Sequence, residues 1–247
     1  MTVRYKTRGF VFKKENRMDA DRMFSVFTED FGRLEIFAKA IRKIDSKLRG
    51  GIDTFYFSQI EFIQGKNKKT LTDALLLESC GAVTQHPEKF EVARNISDIL
   101  DAFLRGQEMD GKMWDCIKDT FTKLGLQKTN HKFLYYYFFW NFVSLLGYGP
   151  ELSQCAGCRG VLSPKNLYFS NKEGGVVCGS CAQKQEGCNA IDASAVKMLR
   201  LVLKKDFEML SKLKVDLASK KVFKQISDGY LQYLLHSHSS VPSYEHF

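Results

Sequence analysis

Four cysteines stand in two Cys-x-x-Cys pairs, Cys155/Cys158 and Cys178/Cys181, with nineteen residues, Arg159 to Val177, between the pairs. Two residues between cysteines let both thiolates of a tight knuckle face one metal ion. Two knuckles brought together complete the tetrahedral sulfur shell that Zn2+ prefers, so the spacing points to one structural zinc per chain. A catalytic zinc needs an open coordination position and a nearby acid or base, and neither is evident here. A redox dithiol pair is the competing reading of the same residues. Gly157, Gly160 and Gly179 lie in or beside the knuckles, where the expectation is relief of positive-φ backbone. Cys188 follows Cys181 by seven residues and could compete as a ligand, whereas Cys80 and Cys116 read as buried bystanders.

Charge is the second feature that could do chemistry. The 247 residues carry 37 Lys or Arg against 28 Asp or Glu, a formal net charge of +9, and the pI is near 9.1. Such a balance favours a polyanionic partner, nucleic acid ahead of an anionic membrane surface, over a merely basic soluble protein. Arg4, Lys6, Arg8, Lys13 and Lys14 fall within residues 1–14, which contain no acid. Arg33, Lys39, Arg42, Lys43, Lys47 and Arg49 follow, against only Glu35 and Asp45. Apart from Arg8, these cations are the candidate DNA contacts, since phosphates attract such clusters and the displaced counterions drive binding. Phe10, Phe12, Phe37, Phe55, Tyr56 and Phe57 interleave with them and would either stack bases or fill a core. A third basic stretch, residues 194–232, has nine Lys or Arg against four acids. It reads as a solvated helix face or as a second contact surface.

No catalytic constellation emerges: there is no phosphate loop, nucleophile elbow or metalloprotease helix motif. His86, His131, His236, His238 and His246 lie in expected turns, at a helix start or in the tail, with no nucleophile at useful spacing. The expectation is a protein that binds and does not catalyse.

The elements that must position these residues fall into two textures. Up to about residue 77 the chain alternates in short runs, around Phe10-Val-Phe, Arg22 to Thr28, Leu34 to Ile41, Thr54 to Gln64 and Thr70 to Leu77. Five short strands point to a small closed barrel, because closure removes exposed edges; an OB-fold leads and an SH3-like barrel would pattern similarly. From Glu88 onward apolar residues recur at three and four, predicting helices over 88–104, 113–124, 132–146, 193–213 and 220–235. Residues 133–149 carry no charge but are short and rich in Tyr, so a buried helix fits them better than a membrane span. The start, Met1-Thr-Val-Arg-Tyr-Lys, has no signal-peptide run, and cysteines at metal spacing fit a reducing cytoplasm. The tail from His236 reads as frayed. The expected class is therefore α+β: a barrel over 1–80, then a helical domain over 81–247 with a zinc module inserted at about 150–185.

Leu146-Gly-Tyr-x-Pro-x-Leu-x-x-Cys-x-x-Cys, an aromatic strand, and Gly174-Gly-x-x-Cys-x-x-Cys together resemble the zinc module of the bacterial RecO family of recombination mediators. Gly9-Phe-Val-Phe resembles that family's first strand. Phe27 to Lys43 resembles its Thr-x-x-x-Gly hairpin with the basic continuation, and Ser46 and Leu48 stand where it has Ser-x-Leu. Ala40 departs from the pattern, since a glycine is expected after Lys39. The resemblance implies a cytoplasmic, nucleoid-associated protein without enzymatic activity that binds single- and double-stranded DNA and anneals complementary strands. It also implies engagement of the acidic tail of single-stranded DNA-binding protein, and cooperation with RecR to load RecA. Arg200, Lys204 and Lys205 are the candidate cations for that tail, with aromatics of residues 133–140 as a possible apolar floor. The alternative is a zinc-ribbon module associated with RNA or transcription.

Overall fold

The computed structural model describes residues 3–106, 109–126 and 130–239. Two compact units, Met1–His131 and Lys132–Phe247, make up the chain.

The first unit opens with five strands: β1 (Arg4–Arg17), β2 (Asp21–Thr28), β3 (Gly32–Ala38), β4 (Tyr56–Gln64) and β5 (Lys69–Ser79). They close into a barrel in the order β1-β2-β3-β5-β4, with a short parallel β3–β5 pairing at Ile36/Lys69 and Phe37/Thr70, the OB-type arrangement expected. Alternation along the strands sends Val11, Phe24, Val26, Leu34, Ile36, Ile60 and Phe62 inward, where they form the core. Helices α1 (Gly81–Gln85), α2 (Pro87–Phe103) and α3 (Gly111–Gly125) complete the unit. Pro87 starts α2, and the Asp110 carboxylate caps α3 by accepting the Lys112 and Met113 N–H groups.

The expected division at residue 80 marks where the strands end, but the compact unit runs on to residue 131. The physical reason is aromatic. Phe10 packs 4.3 Å from Phe121 of α3, Phe55 lies 5.8 Å from the same ring, and Phe57 meets Trp114 edge-on at 5.8 Å. Barrel rings that alternation turns away from the core are therefore buried under a helix.

The second unit is built around α4 (His131–Leu145), whose Leu134, Tyr137 to Val143 face is buried on nearly every side, as the uncharged run predicts. A three-stranded sheet of β6 (Leu167–Ser170), β7 (Gly175–Cys178) and β8 (Cys188–Ile191), in the order β7-β6-β8, follows, with α5 (Gly179–Ala182) after β7. The hairpin expected from Asn166 to Ser170 and Gly174-Gly175 is present; β8 and the one-turn helices α1 and α5 are additions. Helices α6 (Ala193–Leu203), α7 (Phe207–Lys212) and α8 (Leu217–Ser239) close the unit.

The single helix expected over 193–213 is two helices. Lys205 adopts φ +58°, and Asp206 then caps α7 through the Met209 N–H, so a local cap overrides the continuing apolar period. The last helix runs to Ser239 rather than ending at Leu235; residues 240–247, including His246, lie outside the described residues. Trp140 stacks on Tyr230 at 5.2 Å and donates its indole N–H to Ser227 Oγ at 2.9 Å, which fixes α8 on α4. Among the described residues no helix is long and apolar enough to cross a membrane.

Candidate metal centre and nucleic-acid interface

Leaving α4, the chain runs beside β7: Glu151 donates to the Gly174 carbonyl at 3.0 Å and accepts the Val176 N–H at 2.8 Å. This approach demands glycine at 175, because a Cβ there would lie 2.5 Å from the Glu151 carbonyl oxygen. The pairing continues into the first knuckle, where Ala156 N–H meets the Val176 carbonyl at 2.8 Å. Arg159 N–H then closes onto the Cys155 carbonyl at 2.8 Å and Cys155 N–H onto Gly160 at 2.9 Å. Cys178 ends β7 and Cys181 lies on α5, so strand register delivers the second pair to the first.

All four Sγ atoms lie within 4.8 Å of one another, and Cys158 and Cys178 are 3.9 Å apart. A tetrahedral zinc with Zn–S of about 2.3 Å has sulfur–sulfur edges of about 3.8 Å. The cage therefore has the size of one such ion.

Electrostatics favour a cation in the cage as well. Burial alone would raise the Cys155 thiol, but N–H groups of Cys158, Cys178 and Gly157 point at it and bring it down to about 6. Cys181, hydrogen-bonded to the sulfurs of Cys158 and Cys178, is pushed up to about 12. Four crowded sulfurs cannot all ionise alone, and a soft divalent cation removes that conflict.

The glycines work differently from expectation. The positive φ in the first knuckle belongs to Arg159, at +58°, and not to Gly157, Gly160 or Gly179. Gly157 supplies room instead, since a Cβ there would stand 3.3 Å from Cys181 Sγ. Cys188 sits opposite Ser170 on β8, outside the cluster.

On the barrel, the structure separates the ten candidate cations into two groups. Arg33 donates to the Asp101 and Leu104 carbonyls at 2.8 Å each and to the Asp101 carboxylate at 2.7 Å, so it fastens β3 to the end of α2. Lys13 pairs with the same Asp101 at 2.7 Å and with Glu15 at 3.1 Å. Burial opposes ionisation of Asp101, yet the Lys13 and Arg33 hydrogen bonds hold its carboxyl below the usual range. Lys6 faces Glu61 at 3.0 Å, and Lys14 faces Asp53. Arg4, Lys39, Arg42, Lys43, Lys47 and Arg49 are exposed and have no ion pair among the described residues.

Five of these six lie between β3 and β4, in a segment anchored on the barrel core. Ile41 and Ile52 are buried in the barrel core and Leu48 packs against it. Turn hydrogen bonds link Lys43 to Ala40, Ser46 to Lys43, Arg49 to Ser46 and Gly51 to Leu48. Ala40 adopts φ +55°, the conformation for which the expected glycine is suited.

Three further cations escaped the sequence reading. Lys66, Lys68 and Lys69 form the β4–β5 tip, and with Arg33 they line a groove of about 380 Å³. Lys68 Nζ stands 3.7 Å over the Phe37 ring. Three lysines in four residues were the available signal; only the β3–β5 pairing places them beside Phe37. Of the six aromatics, Phe10, Phe12, Phe55 and Phe57 are buried, which leaves Phe37 and Tyr56 half-exposed.

In the second unit, Arg200 and Lys204 line a cleft of about 420 Å³ with Pro150, Leu152 and Leu203. The Arg200 guanidinium also donates to the Leu152 carbonyl. Lys205 is not in the lining; it occupies the α6–α7 turn, where its carbonyl accepts the Tyr137 hydroxyl.

Comparison with known proteins decides the family. The family model described as Recombination protein O N terminal matches residues 1–80, and that described as Recombination protein O C terminal matches residues 85–240. The chain belongs to the RecO family. A protein from Dehalococcoides mccartyi named DNA repair protein RecO is 29% identical over 212 residues, covering 86% of this chain and 83% of its own. Relatives of the same name from Thermoanaerobacter sp. and Roseiflexus sp. are 25% and 23% identical, covering 92% and 94% of this chain. The N-terminal model spans the five barrel strands and the C-terminal model spans α2 to α8.

Proposed function

We propose that this RecO-family chain is a non-enzymatic mediator of DNA repair and recombination that binds single- and double-stranded DNA and anneals complementary strands. The observation that carries the reading is the core-anchored loop whose exposed Lys39, Arg42, Lys43, Lys47 and Arg49 have no ion pair among the described residues, on an OB-type barrel that also carries Arg4 and the Lys66, Lys68 and Lys69 tip. These cations neutralise phosphates and release counterions without reading bases, so affinity is sequence-independent and salt-sensitive. Holding two strands on one polycation lowers their mutual repulsion, and pairing itself supplies the driving force. No nucleotide hydrolysis is needed.

Cys155, Cys158, Cys178 and Cys181 hold one zinc ion in this reading. The ion supplies a cross-link for a sheet too small to bury its own core. The cleft with Arg200 and Lys204 supports a site for the acidic tail of single-stranded DNA-binding protein, with Leu152 and Leu203 as apolar floor and the cations meeting carboxylates. Lys205 is left outside that site. Cooperation with RecR, RecA loading and a cytoplasmic, nucleoid-associated location complete the proposal and rest on family membership.

The test is strand annealing on complementary DNA coated with single-stranded DNA-binding protein. Faster pairing than without the chain, with no nucleotide cofactor, is expected; no acceleration on coated or bare strands refutes the reading.

A further inference from the structure

The proposed DNA surface carries two apolar side chains that its cations do not explain. Ile44 is 95% exposed and Met18 is 87% exposed. Ile44 stands inside the turn closed by the Ser46 N–H on the Lys43 carbonyl, with Arg42, Lys43, Lys47 and Arg49 around it in sequence. Met18 is the tip of the β1–β2 hairpin, in a left-handed conformation with φ +49°. Two hydrogen bonds join these turns: Arg42 N–H to the Ala20 carbonyl at 2.9 Å, and Ala40 N–H to Asp21 Oδ1 at 2.7 Å. The hairpin tip and the basic loop are thus hydrogen-bonded neighbours, each with one exposed apolar side chain.

Each point is followed by an acid, Asp19 after Met18 and Asp45 after Ile44. A carboxylate repels phosphate, so a strand held by the flanking cations is biased to present bases, not backbone, to these two positions. The same carboxylates disfavour an anionic bilayer, whose headgroups would bring negative charge to every point of the surface.

We propose that Met18 and Ile44 form an aliphatic wedge that enters between adjacent bases and unstacks them while the surrounding Arg and Lys hold the phosphates. Aliphatic side chains act as base-step wedges in other proteins, and the cost of unstacking is least where the strand is already single. An annealing factor gains from this: bases held apart from their own neighbours are open to a complementary strand. The inference rests on the DNA-binding reading above and adds the mode in which bases are engaged.

The experiment uses the full chain and single-stranded oligonucleotides containing 2-aminopurine, whose fluorescence rises when it unstacks. Wild type should raise the signal, whereas stacking on a ring such as Phe37 would quench it. The double variant Met18→Ser/Ile44→Ser should lose the rise and bind single strands about tenfold more weakly, with the salt slope retained because no phosphate contact has gone. Both residues are almost fully exposed, so the variant is expected to melt as wild type does. If wild type binds DNA but the variant leaves fluorescence and affinity unchanged, the wedge is overturned and the DNA reading stands. If wild type binds no DNA, both fall. Loss of sedimentation with phosphatidylglycerol vesicles, with DNA fluorescence unaltered, would instead assign the two residues to a membrane surface and overturn the proposal.

Discussion

Ala40 is a small side chain in a conformation that costs an L-residue energy, at φ +55°, with its N–H fixed on Asp21 at 2.7 Å. Ala40→Gly should therefore stabilise the chain by about 1 kcal/mol and raise its melting temperature by about 2–4 °C. A lower midpoint would mean that the loop is not strained there. The cations offer a sharper contrast. Replacing Arg42, Lys43, Lys47 and Arg49 together by alanine should reduce the salt slope of DNA binding by about 3, with melting unchanged. Arg33→Ala should do the reverse, lowering stability first, because its guanidinium serves two carbonyls and the Asp101 carboxylate. Salt titrations and thermal melts on the two variants separate these roles. Asp101 adds a pH signature. Its folded value is depressed, so its stabilisation is present above the ordinary value of 3.8 and is lost as pH falls through the lower folded value. Acid melts of Asp101→Asn should lack that loss below about pH 4, while wild type shows it.

At the scale of elements, the three-stranded sheet has strands of only four residues each and packs Phe169 against Trp140 and Tyr230, while its four cysteines stand where β7, α5 and the segment after α4 meet. Protein purified without added metal should contain about one zinc per chain by elemental analysis. Cys155→Ser should remove the metal and destabilise the second unit, since Cys155 is fully buried and accepts the Cys178 N–H at 3.3 Å. Full metal content and an unchanged melt in that variant would exclude the four-sulfur site. Gly175→Ala should have a similar consequence by another route, forcing Glu151 away from β7 and with it the first knuckle.

For the whole molecule, the division of labour predicts separable losses. Arg200→Glu with Lys204→Glu should abolish calorimetric binding of an acidic, aromatic-ended tail peptide by the full chain, yet leave affinity for bare DNA within about twofold, since the proposed phosphate contacts all belong to the barrel and exposed charges interact weakly through salt solution. Retained peptide binding would move that site away from the cleft. A parallel loss of DNA affinity would show that the second unit also holds DNA.

What the sequence alone determined is whatever short-range patterns encode. The Cys-x-x-Cys spacing named the four cysteines that cluster, period-two alternation defined five strands, and the uncharged run defined α4, because each depends on residues only a few positions apart. Local backbone competition explains the misreadings next to them: Asp206 caps a new helix where the apolar period continues, and Arg159 takes the left-handed position expected of a glycine. Tertiary structure alone decided which members of each pattern are available. Charge clustering named ten cations, but only folding brings Asp101 to Lys13 and Arg33, eighty-eight and sixty-eight residues away in the chain. Alternation likewise could not tell a ring facing solvent from one facing α3, so Phe10 and Phe57 became interior while Phe37, on the same barrel, meets Lys68 at its surface. Pairing of β3 with β5 and closure of the β1–β4 seam are long-range events, and they are what place the basic loop, the β1–β2 tip and the β4–β5 tip on one barrel.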